Sequence, residues 1–278
     1  MKIIEPELIT KEVSRLCIEA ATYIEHDVLN CIKKACSNET GLSKEILAQI
    51  IENDELAERE NVPMCQDTGI TVCFVEIGNE VMINGDIYEA INNGIADGYT
   101  KGYLRKSVVK SPLDRVNTKN NTPGIIHIKH TLGDKLKITI CPKGAGSENM
   151  SKVKMLVPAD GKDGIVKFVC DTIKEAGGRP CPPLVVGVGI GGDIEKSALI
   201  AKEALLRPID DESSDLDARN LERELFEKIN KLNVGPMGLG GKTTALAVKV
   251  NLYPCHIASL PVAVNIQCHA SRHKVVIL

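Results

Sequence analysis

The chain has 278 residues and a formal charge of −3, with 43% hydrophobic, 26% charged and 3% aromatic residues and no Trp. This balance supports one large or two small globular domains with an aliphatic core, and the interleaved charges leave no basic stripe for nucleic acid. Charge and Pro interrupt the Met1-Lys-Ile-Ile-Glu-Pro6 start, and the longest apolar stretches, 182–192 and 257–266, are short and rich in Gly or Pro. Neither a signal peptide nor a membrane span is therefore expected, and the expected compartment is the cytoplasm.

Residues 10–37 place Val13, Leu16, Cys17, Ala20, Ala21 and Ile24 at helical spacing. Residues 43–59 read as a second amphipathic helix, with Ser43 at its N-cap and Ile46, Leu47, Ile50 and Ile51 on one face. Past Pro63, residues 70–77 alternate as a strand and 86–98 read as a helix. Strands at 124–130 and 135–141 flank a Gly133-Asp134 turn. Helices are predicted at 161–176, 194–206 and 215–231, and strands at 183–189, 245–252 and 259–266. This alternation gives an α/β or mixed α+β class. The chain reads as a single domain, 1–278, with a helical lobe at 1–60 and an α/β core at 61–278.

Gly, Pro and polar residues concentrate in five loops between these elements, which is where function usually sits. Two of the loops resemble nucleotide motifs. Gly187, Gly189 and Gly192 fit G-x-G-x-x-G, but no second strand ending in an acid follows about 20 residues later. Gly241-Lys242-Thr243 resembles a P-loop, but Pro236 stands where its first Gly belongs and a strand-like run follows. The first reads better as close helix–strand packing, the second as a Gly-rich turn whose backbone N–H groups suit an anion.

Ten Cys without a CxxC pair, in a reducing compartment, read as thiols, core residues or ligands gathered from distant segments. Cys65, Cys181 and Cys268 sit in loops. Cys65 precedes Gln-Asp-Thr-Gly, Cys181 lies between Pro180 and Pro182, and Cys268 precedes His-Ala. Pro and Gly fix the backbone there and present a thiolate rigidly.

Five segments carry a resemblance: Met64-Cys-Gln-Asp-Thr-Gly69, Lys143-Gly-Ala-Gly-Ser-Glu-Asn-Met-Ser151, Cys181-Pro-Pro183 with Val186–Gly192, Gly235–Leu246 and His256–Arg272. Together, in this order, they resemble class I fumarate hydratases and, equally, the alpha subunits of L-tartrate dehydratases. The resemblance implies an iron–sulfur hydro-lyase alpha-type fold holding a [4Fe–4S] cluster on Cys65, Cys181 and Cys268. Three ligands leave one iron open to act as a Lewis acid, whereas four would suit electron transfer. Cys141, beside the Lys143 motif, is read as packing, and Cys17, Cys73 and Cys170 as core.

The resemblance also implies roles for other residues. Gln66 and Asp67 contact substrate, and Asp67 assists proton transfer; an Asx-turn that shapes the loop is the alternative for Asp67. Arg105 clamps a substrate carboxylate, for which a planar bidentate donor is suited. Backbone N–H groups at Ala145 and Gly146 serve the other carboxylate, with Ala145 standing where many relatives have Gly. His256 contacts substrate.

The implied reaction is reversible hydration of fumarate to L-malate, a tricarboxylic acid cycle step, with tartrate dehydration as the same-class alternative. A non-catalytic iron–sulfur carrier and a nucleotide-binding module are the readings from other classes. The sequence ends at Leu278, where single-chain relatives extend into a domain with further Arg residues and a Thr–Lys pair. The resemblance thus implies a separate beta subunit, in an assembly of two alphas and two betas.

Overall fold

The computed structural model describes all 278 residues. In chain order the elements are β1 (Lys2–Ile4), α1 (Pro6–Thr22), α2 (His26–Asn38), α3 (Gly41–Glu60), β2 (Ile70–Gly78), β3 (Val81–Ile83), α4 (Ile87–Lys101), β4 (Ile125–Thr131), β5 (Leu136–Lys143), α5 (Ala145–Glu148), β6 (Lys152–Leu156), α6 (Gly161–Ala176), β7 (Leu184–Gly192), α7 (Ile194–Ala204), α8 (Leu216–Asn230), β8 (Ala245–Cys255), β9 (Leu260–Gln267) and β10 (Lys274–Ile277). The class is mixed α/β, as the alternation implies. The residues divide into two compact units, Met1–Ile24 with Asn53–Ala145 and Arg272–Leu278, and Glu25–Glu52 with Gly146–Ser271. The first 60 residues, read from sequence as one helical lobe, are shared between the units. The helical stretch predicted over 10–37 breaks at Tyr23-Ile24-Glu25, so that α1 packs on α4 and α2 on β8.

The first unit is built on a four-stranded sheet in the order β10-β5-β2-β4. β2 runs parallel to β4 and antiparallel to β5, which in turn pairs antiparallel with β10. The strands on either side of Gly133-Asp134 thus form, but they flank β2 instead of pairing with each other. Their connection crosses the end of β2. Gly78 N–H donates to Lys135 C=O at 2.9 Å, Asn79 N–H to Thr131 C=O at 2.9 Å, and a Cβ on Gly78 would stand 2.2 Å from Gly133 O. Only Gly fits that crossing. Ile9, Val13, Leu16 and Cys17 of α1 share a core with Ile91, Ile95 and Tyr99 of α4 and with Cys73, Val75, Ile138 and Ile140 of the sheet.

The second unit has a sheet in the order β6-β9-β7-β8, with β9 antiparallel to both neighbours and β8 parallel to β7. Strand periodicity assigns the two faces of β7. Leu184, Val186, Val188 and Ile190 enter the core formed with Val169 and Ile173 of α6 and Leu225 and Ile229 of α8. Gly187 and Gly189 face α7 instead, where added Cβ atoms would lie 2.1 Å from Ala201 O and 2.1 Å from Ser197 O. These glycines lie inside a strand against a helix, so the G-x-G-x-x-G spacing reflects close packing.

Candidate active site

Strand register brings the first unit's chemistry to one end of its sheet. Ile70 of β2 lies opposite Lys143 of β5, Val72 opposite Ile125 of β4, and Lys274 of β10 opposite Ile140. The Cys65–Gly69 loop before β2, Gly144-Ala145 after β5, the segment before β4 that carries Arg105, and Arg272 before β10 therefore converge.

Asp67 is the centre of this cluster. Its Oδ1 accepts from Gly69 N–H at 3.0 Å and its Oδ2 from Ala145 N–H at 2.9 Å, while Arg105 Nη2 stands 3.3 Å from Oδ1. The Gly69 bond is the Asx-turn considered from sequence, and the same carboxylate is also ion-paired. The Asp67 N–H donates to Cys65 Sγ at 3.4 Å, and Gln66 Oε1 lies 3.5 Å from that sulfur. The Arg105 side chain is 55% exposed, which leaves most of its guanidinium donors available to a ligand. Ala145 N–H, assigned from the resemblance to a substrate carboxylate, is engaged by Asp67.

The loop's downstream half is fixed by side chains that carry no motif in the sequence. The buried Tyr99 hydroxyl donates to Thr68 C=O at 2.5 Å, Asn121 Nδ2 donates to Gly69 C=O at 3.2 Å, and Thr68 Oγ1 donates to Arg105 C=O at 2.9 Å. Burial pushes the Tyr99 phenol well above its ordinary value, so it stays protonated and able to donate.

In the second unit, Val185 of β7 pairs with Gln267 of β9, which delivers Cys181 and Cys268 to the same sheet end. His269 N–H donates to Cys181 C=O at 3.3 Å. Cys181 has φ +55°, between Pro180 and a cis Pro182–Pro183 bond, and Met237 N–H donates to Pro182 C=O at 2.8 Å. Lys152 of β6 lies opposite Val264 of β9, so Gly146–Ser151 reaches that end as well. Glu148 holds this segment by accepting from Lys202 Nζ at 2.6 Å and Asn265 Nδ2 at 3.2 Å.

His256 lies elsewhere. It follows β8 and precedes β9, and its Nδ1 accepts from Ala258 N–H at 3.1 Å. The eight residues of β9 separate it from Cys268, a distance of roughly 25 Å at strand rise. It lines a groove with Lys162, Asp217 and Asn220 in the second unit.

Cys65, Cys181 and Cys268 are half-buried on loops, whereas Cys17, Cys73 and Cys141 are buried in cores. Desolvation pushes the Cys17 thiol up to about 12 and the Cys73 thiol higher still, which keeps both from serving as thiolates. Three backbone donors of the Gly235–Thr244 loop are also occupied. Gly240 N–H goes to Val234 C=O, Gly241 N–H to Asn233 Oδ1 and Thr243 N–H to Glu39 Oε1. An anion finds none of these three free.

Asp54 and Arg272 also escape the sequence reading. Both are buried in the first unit, at 1% and 3% exposure. Burial raises the Asp54 carboxyl from 3.8 to about 6, against smaller opposing pulls from the Asn53 side-chain hydrogen bond and then from Arg272. The folded protein thus binds this proton more tightly than the unfolded one, so stability falls as pH climbs from about 4 to about 6 and levels off above. The shift corresponds to about 3 kcal/mol at most. Thermal midpoints of wild type and Asp54→Asn, measured from pH 4 to pH 7, are expected to diverge across that window; a constant difference contradicts this assignment.

The family model for fumarate hydratase (Fumerase) matches residues 10–277. A Methanocaldococcus jannaschii protein with the provisional name L(+)-tartrate dehydratase subunit alpha is 46% identical over 275 residues, covering 96% of both sequences. The L(+)-tartrate dehydratase subunit alpha of Escherichia coli strain UTI89 is 31% identical over 269 residues, covering 95% of this chain and 88% of its own length. The protein of that name from Shigella sonnei shows the same 31% identity over 269 residues. A match running through both compact units, over the loops that carry Cys65, Cys181 and Cys268, places the chain in the fumarate hydratase (Fumerase) family.

Proposed function

We propose that this protein is the alpha subunit of a two-subunit iron–sulfur hydro-lyase that reversibly hydrates fumarate to L-malate in the cytoplasm. One observation carries the reading. Cys65, Gln66 and Asp67 of one loop meet Arg105 of the segment before β4 at one sheet end, where Arg105 Nη2 stands 3.3 Å from Asp67 Oδ1 and Gln66 Oε1 3.5 Å from Cys65 Sγ.

The donor set fits a cluster. Cys65, Cys181 and Cys268 would be its soft ligands; they stand on half-buried loops, distinct from the protonated core thiols. Bound by these three, a [4Fe–4S] cluster would supply a Lewis-acidic iron that polarises the C–O bond of a 2-hydroxy acid. Arg105 would hold one substrate carboxylate and stabilise the charge that grows on it. The Gly146 N–H and the Gln66 amide would orient the rest of the dianion. Asp67 would take and return the proton of the added water at its carboxylate oxygens. A base on the beta subunit would handle the proton on the adjacent carbon. Because β9 carries His256 away from Cys268, His256 would reach this substrate only from a second copy, which accords with two alphas and two betas.

L-tartrate is the second reading, favoured by the names of the relatives. It loses the same hydroxyl group and differs by one more. Steady-state kinetics of the co-expressed pair, prepared without oxygen, separate the two. The proposal expects kcat/KM for L-malate to exceed that for L-tartrate at least tenfold, and the reverse order overturns fumarate as the substrate.

A further inference from the structure

Two buried charges underlie the Cys65 loop without a part in the chemistry above. Arg272 Nη2 donates to the backbone carbonyl of Asp67. Its Nε and Nη1, and Asp54 Oδ2, are buried without a hydrogen-bond partner. The guanidinium and the carboxylate attract each other. Next to Asp54, Asn53 Nδ2 donates to Met64 C=O at 2.9 Å and to Asp54 Oδ1 at 3.3 Å, while Met64 N–H donates to Ala21 C=O at 3.0 Å. The backbone is thereby held at Met64, at Asp67 and, through Tyr99, at Thr68. Cys65 and Gln66 span the held points.

A charge pair in such a place stabilises the fold poorly. Desolvation of both ions offsets their attraction, and apolar side chains of similar volume generally do as well or better. What an apolar pair lacks is a directional donor aimed at a loop carbonyl, and the planar guanidinium supplies one on a preorganised fork. We propose that Arg272 is a positioning residue for the Cys65–Asp67 loop. Fixing the Asp67 carbonyl fixes where the Asp67 N–H meets Cys65 Sγ and where its carboxylate meets Ala145 and Arg105. The structural part of this inference stands on the loop alone, and its catalytic part rests on the hydro-lyase reading.

Hydrogen exchange of the full-length protein tests the structural part without reference to activity. Arg272→Gln should speed exchange of the Asp67 and Gly69 amides at least tenfold, leave β7 and β9 unchanged, and be partly rescued in Arg272→Lys. Unchanged loop exchange in Arg272→Gln overturns the inference. If Arg272→Gln exchanges uniformly over its whole length, Arg272→Lys decides: acceleration confined to the loop supports positioning, and uniform acceleration overturns it. In the assembled enzyme, Arg272→Gln should lower kcat at least tenfold with KM changed less than threefold, and an unaltered kcat overturns the catalytic part. Loop-confined acceleration in Arg272→Gln, together with a wild-type complex that hydrates nothing, would uphold positioning and remove the hydro-lyase reading instead.

Discussion

Asparagine at Asp67 is expected to lower kcat/KM by about 10²- to 10⁴-fold, the range for loss of a positioned acid–base group. The side chain has two tasks that this variant separates imperfectly. The amide keeps one acceptor oxygen, so either the Gly69 or the Ala145 N–H must face an NH₂ group, and the charge opposite Arg105 is gone. Asp67→Ala removes both acceptors and should loosen the loop as well. Arg105→Gln tests the partner: it should raise KM, since most of that guanidinium is open to ligand, and lower kcat, since the charge that grows on the carboxylate loses its donor. The two residues are in contact, so the double variant should lose less than the sum of the single free-energy losses. Strict additivity in steady-state kinetics would mean that the pair does not act as a unit.

Valine at Gly189 should prevent folding or lower the thermal midpoint by about 10 °C or more. A Cβ there meets Ser197 O at 2.1 Å, Ala201 N at 2.6 Å and Ile200 Cγ1 at 2.7 Å. Two of these are backbone atoms of α7, which yield only if the helix leaves the sheet. Overpacking of this kind costs about 4 kcal/mol or more, a large share of the roughly 5–15 kcal/mol by which proteins are stable. For a protein of this size each kcal/mol moves the midpoint by about 2–4 °C. Gly133 is the control, since an added Cβ there meets nothing within 4 Å, although its φ of +104° favours Gly. Circular dichroism melts of Gly189→Val and Gly133→Ala check the contrast. Wild-type stability in Gly189→Val would refute the packing account of the glycine pattern.

The long periodic elements are legible in the sequence because burial imposes a period. The helix at 161–176 shows its buried face in the order of apolar residues, and the strands near 70–77 and 259–266, buried on both faces, show as apolar runs. The short strands β1, β3, β6 and β10 are not, since three to five residues cannot display a period. Pairing order is also hidden. Gly133-Asp134 looks like a hairpin turn, and only the steric vacancy at Gly78 shows that the connection crosses a third strand. In the site, the three loop thiols stand out through their Gly- and Pro-rich surroundings, and Asp67 and Arg105 through the resemblance of their segments to the family. Arg272 and Asp54 do not, because each works through burial. Asp54 does leave a trace: it follows Ile46, Leu47, Ile50 and Ile51 on the same helical face, where a charge is costly unless it has a partner.

The most direct test of the central claim is the iron and acid-labile sulfide content of the protein, co-expressed with its beta partner and purified without oxygen. The account predicts about four of each per alpha subunit in the wild type and almost none when Cys65, Cys181 and Cys268 are all replaced by Ser. Wild-type protein without iron, or iron that survives the triple replacement, would contradict it.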